Sequence, residues 1–138
     1  MIKIDEQIIE ALTLYKKIAV VGLSPEPERP SFGVSQYMQS KGYVITPIRP
    51  PGGEIILGEK ALNSLSELPK PVEIVDVFRK SEAVPQIVDE AIKVGAKVLW
   101  LQEGVLNPLA EERARAAGLL VFSDLCILKE HRRLIKKR

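Results

Sequence analysis

Ile18-Ala19-Val20-Val21-Gly22-Leu23-Ser24-Pro25-Glu26-Pro27-Glu28-Arg29-Pro30-Ser31 decides the reading of this chain. Its first six residues are apolar on both faces and rich in β-branched side chains, which suits a strand covered by helices on both sides. Pro25, Pro27 and Pro30 then force a loop. The helix after it is read over residues 33–41, entered near Ser31, with Val34, Tyr37 and Met38 on one face and Gly42 as its stop. Strand, proline-broken loop and helix are the opening unit of a layered α/β domain.

The same alternation extends in both directions. Ile8, Ala11, Leu12 and Tyr15 stand at helical spacing, so a leading helix is expected within residues 1–16. Residues 43–48 read as a second strand, followed by the turn Pro50-Pro51-Gly52-Gly53 and an irregular connection over 57–68 with a helical turn near 64–67. Ile74-Val75-Asp76-Val77-Phe78 is the third strand. Val84, Ile87, Val88, Ala91 and Ile92 give the clearest helical period, ended by Gly95, with Ser81 a candidate cap and Pro85 late in the first turn for that frame. Lys97-Val98-Leu99-Trp100-Leu101 is the fourth strand. Asn107-Pro108 caps a helix ending at Gly118. A fifth strand over 119–122 and a last helix over about 125–135 complete the chain.

Five such repeats predict a single domain over 1–138: a three-layer, Rossmann-type open parallel sheet of five strands in the order 3-2-1-4-5, joined by right-handed crossovers. Ligands of such sheets sit beyond the carboxyl ends of the strands, at the switch point, here expected between strands one and four. That expectation gathers residues 22–31, 48–54, 78–81 and 102–107 at one rim.

Composition narrows the function classes. The chain has 138 residues, 46% hydrophobic and 28% charged, which is globular rather than disordered. Its apolar runs are strand-sized, no secretory leader opens it, and its one cysteine, Cys126, makes no internal disulfide; a reducing, cytoplasmic setting is expected. Six of the 20 Lys/Arg fall in 129–138 with one acid, leaving 14 against 17 acids in the rest. A basic final helix accounts for that end. With aromatics at 5%, no base-stacking surface for nucleic acid is expected. His131 is the only histidine, which removes any multi-imidazole metal site. Its expected role is a surface or intersubunit hydrogen bond. Cys126, among Leu125, Ile127 and Leu128, reads as a small core residue.

The clustered loops offer anion chemistry. Gly22 permits close backbone approach to a ligand, Ser24 and Ser31 bring hydroxyls, and Arg29 brings a planar fork suited to phosphate. The helix entered near Ser31 adds its free N–H groups and dipole. The dinucleotide fingerprint is absent, because Ser24 and Pro27 stand where its later glycines belong. Strand two ends in Arg49 and Pro50 rather than in an acid that would hold a free ribose diol. A cation there suits a ribose that carries its own phosphate, as in NADP and coenzyme A; a solvated surface charge is the competing reading. Phe78 is a candidate adenine contact or a core residue, Arg79 and Lys80 candidate phosphate contacts. Gln102, Glu103 and Gly104 follow strand four. A lone Glu103 is more often a ligand contact than a catalyst. No catalytic residue, P-loop or nucleophile elbow is identified.

Val20-Val21-Gly22-Leu23-Ser24 with Arg29-Pro30-Ser31, Val75-Asp76-Val77-Phe78-Arg79-Lys80, Gly95-Ala96-Lys97-Val98-Leu99-Trp100-Leu101-Gln102, and Cys126 with Lys129-Glu130-His131-Arg132-Arg133-Leu134 resemble, in this order, the stand-alone coenzyme A-binding proteins of bacteria and archaea. The chain is also similar to the nucleotide-binding N-terminal part of the succinyl-CoA synthetase alpha subunit and of ADP-forming acyl-CoA synthetases. The resemblance implies that residues 22–31, Arg49-Pro50-Pro51-Gly52-Gly53 and Glu103-Gly104 surround CoA. It does not imply ligase activity, and His131 inherits no phosphorylated-histidine role. Relatives often carry Asn-Pro where this chain has Arg49-Pro50. The resulting expectation is a module that binds CoA or acyl-CoA through its nucleotide moiety without catalysis. An NADP-dependent redox domain and an interaction protein with vestigial cofactor loops are the alternatives. A homodimer through the leading and final helices, or an acyl-CoA-using enzyme, is the expected protein partner.

Overall fold

Strands buried on both faces and helices with one apolar face build a parallel sheet between two helical layers. The computed structural model describes residues 3–135. Residues 1–2 and 136–138, which the expected leading segment and basic end include, lie outside the described residues. The elements run α1 (Ile4–Leu14), β1 (Lys17–Val21), α2 (Pro30–Ser40), β2 (Val44–Ile48), β3 (Ile55–Ile56), β4 (Glu59–Lys60), β5 (Ile74–Val77), α3 (Val84–Lys93), β6 (Val98–Leu101), α4 (Pro108–Ala116), β7 (Leu120–Phe122) and α5 (Ile127–Leu134). No described helix is long and apolar enough to cross a membrane.

Strand alternation sorts side chains between the layers. Ile18 and Val20 of β1 join Ile74, Val98, Trp100 and Phe122 under α1, α2 and α5. Ala19 and Val21 join Val75, Val77, Leu99 and Leu101 under α3 and α4. Asn107 caps α4 by accepting the Ala110 N–H at 3.2 Å, with Pro108 at the first helical position as the sequence predicts. Helix α2 begins at Pro30, three residues nearer the loop after β1 than residue 33. The start of α3 is also resolved: Ser81–Ala83 forms a separate 3-10 turn, and Pro85 falls inside the first turn of a helix opening at Val84.

The five-stranded open parallel sheet stands, but its order differs from the expected 3-2-1-4-5. The sheet runs β2-β1-β5-β6-β7, so the third long strand lies beside β1 and not outside β2. Two physical causes produce this. Every residue of β5 is buried, which suits a strand covered on both faces, and it pairs with β1 on one edge and β6 on the other. The place outside β2 is taken by a shorter segment. Residues 55–60 form the antiparallel hairpin β3–β4 where an irregular connection was expected, and its exit lays Leu62 against Ile48 as a single parallel bridge. Leu62 donates to the Pro47 carbonyl at 2.9 Å and accepts from Arg49 N–H at 2.8 Å. The switch point therefore lies between β1 and β5, not between strands one and four.

Candidate functional site

A cleft of about 910 Å³ opens at the carboxyl rim, lined by the loop after β1, the start of α2, Arg49 after β2, residues 78–80 after β5, residues 102–105 after β6 and the entry to α5. Moving the third strand to the centre brings residues 78–80 directly beside Gly22, closer than the expected order would place them. Gly22 has φ +91°, and a Cβ there would lie 2.6 Å from the Phe78 carbonyl oxygen and 2.9 Å from Arg79 Cδ. Its N–H donates to the Ile48 carbonyl at 3.1 Å, while Phe78 N–H donates to the Val21 carbonyl at 2.9 Å. The backbone is thus pinned on both sides at the one residue type that fits.

Serines fix the loop above it. Ser31 is buried, and its Oγ accepts the Ser24 N–H at 2.9 Å across the loop. Ser24 Oγ accepts the Glu26 N–H at 3.0 Å. Both hydroxyls keep their own O–H to donate elsewhere. Helix α2 points its N-terminus into this corner, with Arg29 at the cap position. Pro30 has no N–H, and the Phe32 and Gly33 N–H groups donate to the Arg29 carbonyl at 3.0 and 3.4 Å, so the helix offers this corner the Ser31 N–H and the positive end of its dipole.

Five cations and two acids line the cleft. Arg29 Nε lies 3.3 Å from Glu26 and Lys129 Nζ 3.0 Å from Glu103. The Glu103 carboxylate raises the Lys129 pKa through that hydrogen bond. Arg49 reaches outward to Glu54 at 3.1 Å. Such exposed pairs add little stability of their own. Arg79 and Lys80 have no acidic partner among the described residues and are exposed. Apolar surface comes from Val34, Phe78, Val105 and Leu128. Phe78 lines the cleft and also packs against the core under α2 and α5.

The right-hand rim is interlocked. Ser81 Oγ accepts the Leu106 N–H at 2.9 Å, joining the loops after β5 and β6. Asp124 accepts the Gly104 N–H at 2.7 Å, joining the loops after β6 and β7. Gly104 shapes the loop without lining the cleft, and Pro50 is exposed outside it. The other residues singled out from the sequence, Gly22, Ser24, Arg29, Ser31, Arg49, Phe78, Arg79, Lys80, Gln102 and Glu103, converge on it.

Sequence reasoning missed the far wall. Cys126 is buried yet lines the cleft at the cap position of α5, and Leu128 and Lys129 follow it. The signal was the short gap between β7 and α5, which carries the helix entry across the rim. His131 is corrected as well. It is buried, not on a surface, and its Nδ1 lies 2.9 Å from the Tyr37 hydroxyl within the same chain. Burial and the charges of Lys41 and Lys16 lower its pKa. On the same helix, Arg133 pairs with Asp5 of α1 at 2.8 and 3.1 Å. Of the two helices expected to offer a dimer surface, only α1 keeps large apolar side chains exposed, Ile4 and Leu14.

Comparison with known proteins agrees with this fold. The chain is 44% identical over 125 residues to the uncharacterised protein YneT of Bacillus subtilis (strain 168), covering 91% of this chain and 92% of that one. A hypothetical protein from Pyrococcus horikoshii OT3 superposes with a TM-score of 0.90 at 42% identity, over 96% of this chain and 92% of that one. The subunit alpha of acetate–CoA ligase [ADP-forming] I from Pyrococcus furiosus is 29% identical over 118 residues, 82% of this chain but 26% of that subunit. The chain thus spans about a quarter of the ligase subunit's length. A profile of the CoA binding domain matches residues 16–132, from the strand that opens the cleft to the helix that closes it: the chain belongs to the CoA binding domain family.

Proposed function

We propose that the cleft binds coenzyme A or an acyl-CoA through its nucleotide moiety, with no catalysis of its own. The observation that carries the reading is the meeting of the α2 N-terminus, Arg29, Arg79 and Lys80 around a Gly22 whose Cβ has no room. A diphosphate needs donors and positive potential at close backbone approach, and this corner supplies both. Arg49 offers a further cation at the end of β2 for a ribose phosphate. The volume suits a large cofactor, being near the upper end of the roughly 300–1,000 Å³ usual for ligand clefts. Val105, Cys126 and Leu128 give the pantetheine arm a mainly apolar wall. Both lining carboxylates, Glu26 and Glu103, are held by cations, which favours recognition over acid–base work. The protein partner consistent with this reading is an acyl-CoA-using enzyme.

Titrating CoA, NADPH and NADH against melting temperature tests it. The expected result is a saturable rise with CoA alone. In Arg29→Ala the CoA dissociation constant should rise about 10- to 100-fold, the value of a charge-assisted contact. A rise selective for NADPH would instead establish a redox cofactor, and no rise with any of the three would remove the cofactor reading.

A further inference from the structure

Beneath the cleft lies a carboxyl group that the reading above does not use. Asp76 sits in the central strand β5, in register with Val20 of β1 and Trp100 of β6, and is 1% exposed. Gln102 Nε2 donates to its Oδ1 at 2.6 Å. Gln102 is itself buried, at 4% exposed, yet lines the cleft. A buried acid in the sheet centre is thus wired to the cleft through one amide.

An amide has a donor end and an acceptor end, and an ionised carboxylate only accepts. An ionised Asp76 therefore claims the NH₂ of Gln102 and leaves Oε1 for the cleft. With Asp76 ionised, Oε1 turned toward it would set two acceptor oxygens face to face in a buried site, a hydrogen bond unmade where water cannot replace it. A protonated Asp76 keeps one acceptor oxygen but gains an O–H, and Gln102 is its one side-chain hydrogen-bond partner among the described residues. Donating that O–H to Oε1 satisfies it and turns the NH₂ outward. We propose that Asp76 is a positioning residue that sets which end of the Gln102 amide faces the ligand, so that the cleft floor accepts a hydrogen bond from a ligand N–H when Asp76 is ionised and donates one when it is protonated. This rests on the reading of the cleft as a CoA site. The ligand group selected by the ionised form is an amide N–H of the pantetheine arm or the exocyclic amine of adenine.

The surroundings let Asp76 titrate without interference. Burial raises its pKa to about 7, and the Gln102 hydrogen bond opposes the rise. No charged side chain contributes to that shift. Among titratable groups on this face, α5 brings Cys126 and His131, with His131 engaged by Tyr37 of α2. Tyr43, ahead of β2, donates to the Leu12 carbonyl of α1. At the rim above, Glu103 is paired with Lys129, and Arg79 faces the cleft.

The test follows the Gln102 side-chain amide by NMR from pH 5 to pH 9 in the free protein, and CoA affinity at pH 6 and pH 8. The amide signals should titrate with a midpoint near 7 in the wild type and stay fixed in Asp76→Asn. Because the CoA phosphate titrates too, affinity is read as the ratio of wild type to Asp76→Asn. That ratio should favour the wild type about five- to tenfold more at pH 8 than at pH 6, the worth of one neutral hydrogen bond. Gln102→Met, which removes both amide ends at similar length, should lose the same pH component and serves if Asp76→Asn does not fold. Adenosine 3′,5′-bisphosphate in place of CoA separates the sources: an effect kept assigns the adenine amine, an effect lost assigns the pantetheine amide. Amide signals that do not move with pH overturn the proposal even if CoA binds. Signals that titrate while CoA binds at no pH leave the Asp76–Gln102 switch standing and remove the CoA reading.

Discussion

Gly22→Val is expected to destabilise the fold by about 3 kcal/mol or more and to abolish cofactor binding. The residue holds φ +91°, and any Cβ meets the Phe78 carbonyl oxygen at 2.6 Å. That oxygen is backbone on the central strand side and cannot rotate away. Relief requires β1 and β5 to part, which breaks the Phe78–Val21 hydrogen bond and separates Arg79 from the α2 N-terminus. The β-branched side chain adds bulk where the ligand backbone approach is needed. Gly33→Ala is the matched control. It lies inside α2 with open space within 4 Å of where a Cβ would stand and no positive φ, so it should raise stability by about 0.5–1 kcal/mol. Urea midpoints for the two variants, at unchanged m-value, check both signs.

Much of this architecture was legible in the residues. Short continuous apolar runs placed the five long strands, 3.6-period faces placed helices between them, and Asn107-Pro108 with Gly118 bracketed α4 because capping chemistry is local. Strand order was not legible, because it depends on which strand needs two neighbours. The continuous burial of β5 and the capture of the outer β2 edge by Leu62 are tertiary facts. The hairpin β3–β4 escaped because its turn places Leu57 at φ +53°, a conformation its side chain does not advertise; Gln39 steadies it by donating to the Leu57 carbonyl at 3.0 Å. The rim residues were legible as a set, since loops after parallel strands must share one edge. Cys126, Leu128 and Lys129 were not, because a helix entry contributes to a cleft only through its angle of approach. Asp76 reads in sequence as one polar letter in an apolar strand, and its link to Gln102 needs the register of β5 on β6.

Asp76→Asn should flatten the pH dependence of stability. Burial lifts the Asp76 pKa from 3.8 to about 7. Between those values the folded chain keeps a proton that the unfolded chain has released. Stability from this group is therefore full below pH 4, falls as pH rises, and is gone above pH 7. At 1.36 kcal/mol per pH unit, the wild type should lose about 3 kcal/mol between pH 5 and pH 8, or roughly 10 °C in melting temperature at this chain length. Asparagine stays neutral throughout and keeps a hydrogen bond to Gln102, so the variant should show little of that loss and be the more stable protein at pH 8. Parallel melting curves at pH 5, 6.5 and 8 read this out. Equal slopes for the two proteins would mean that Asp76 is ionised in the folded state well below pH 7.

The central claim, that a CoA nucleotide occupies the carboxyl rim between β1 and β5, is tested most directly by adding CoA to ¹⁵N-labelled protein and mapping which backbone amides shift. Saturable shifts should concentrate in residues 22–31, 78–80, 102–105 and 126–129. Spectra unchanged at millimolar CoA, or shifts confined to the opposite end of the sheet around Lys17, Val44 and Glu73, would contradict it.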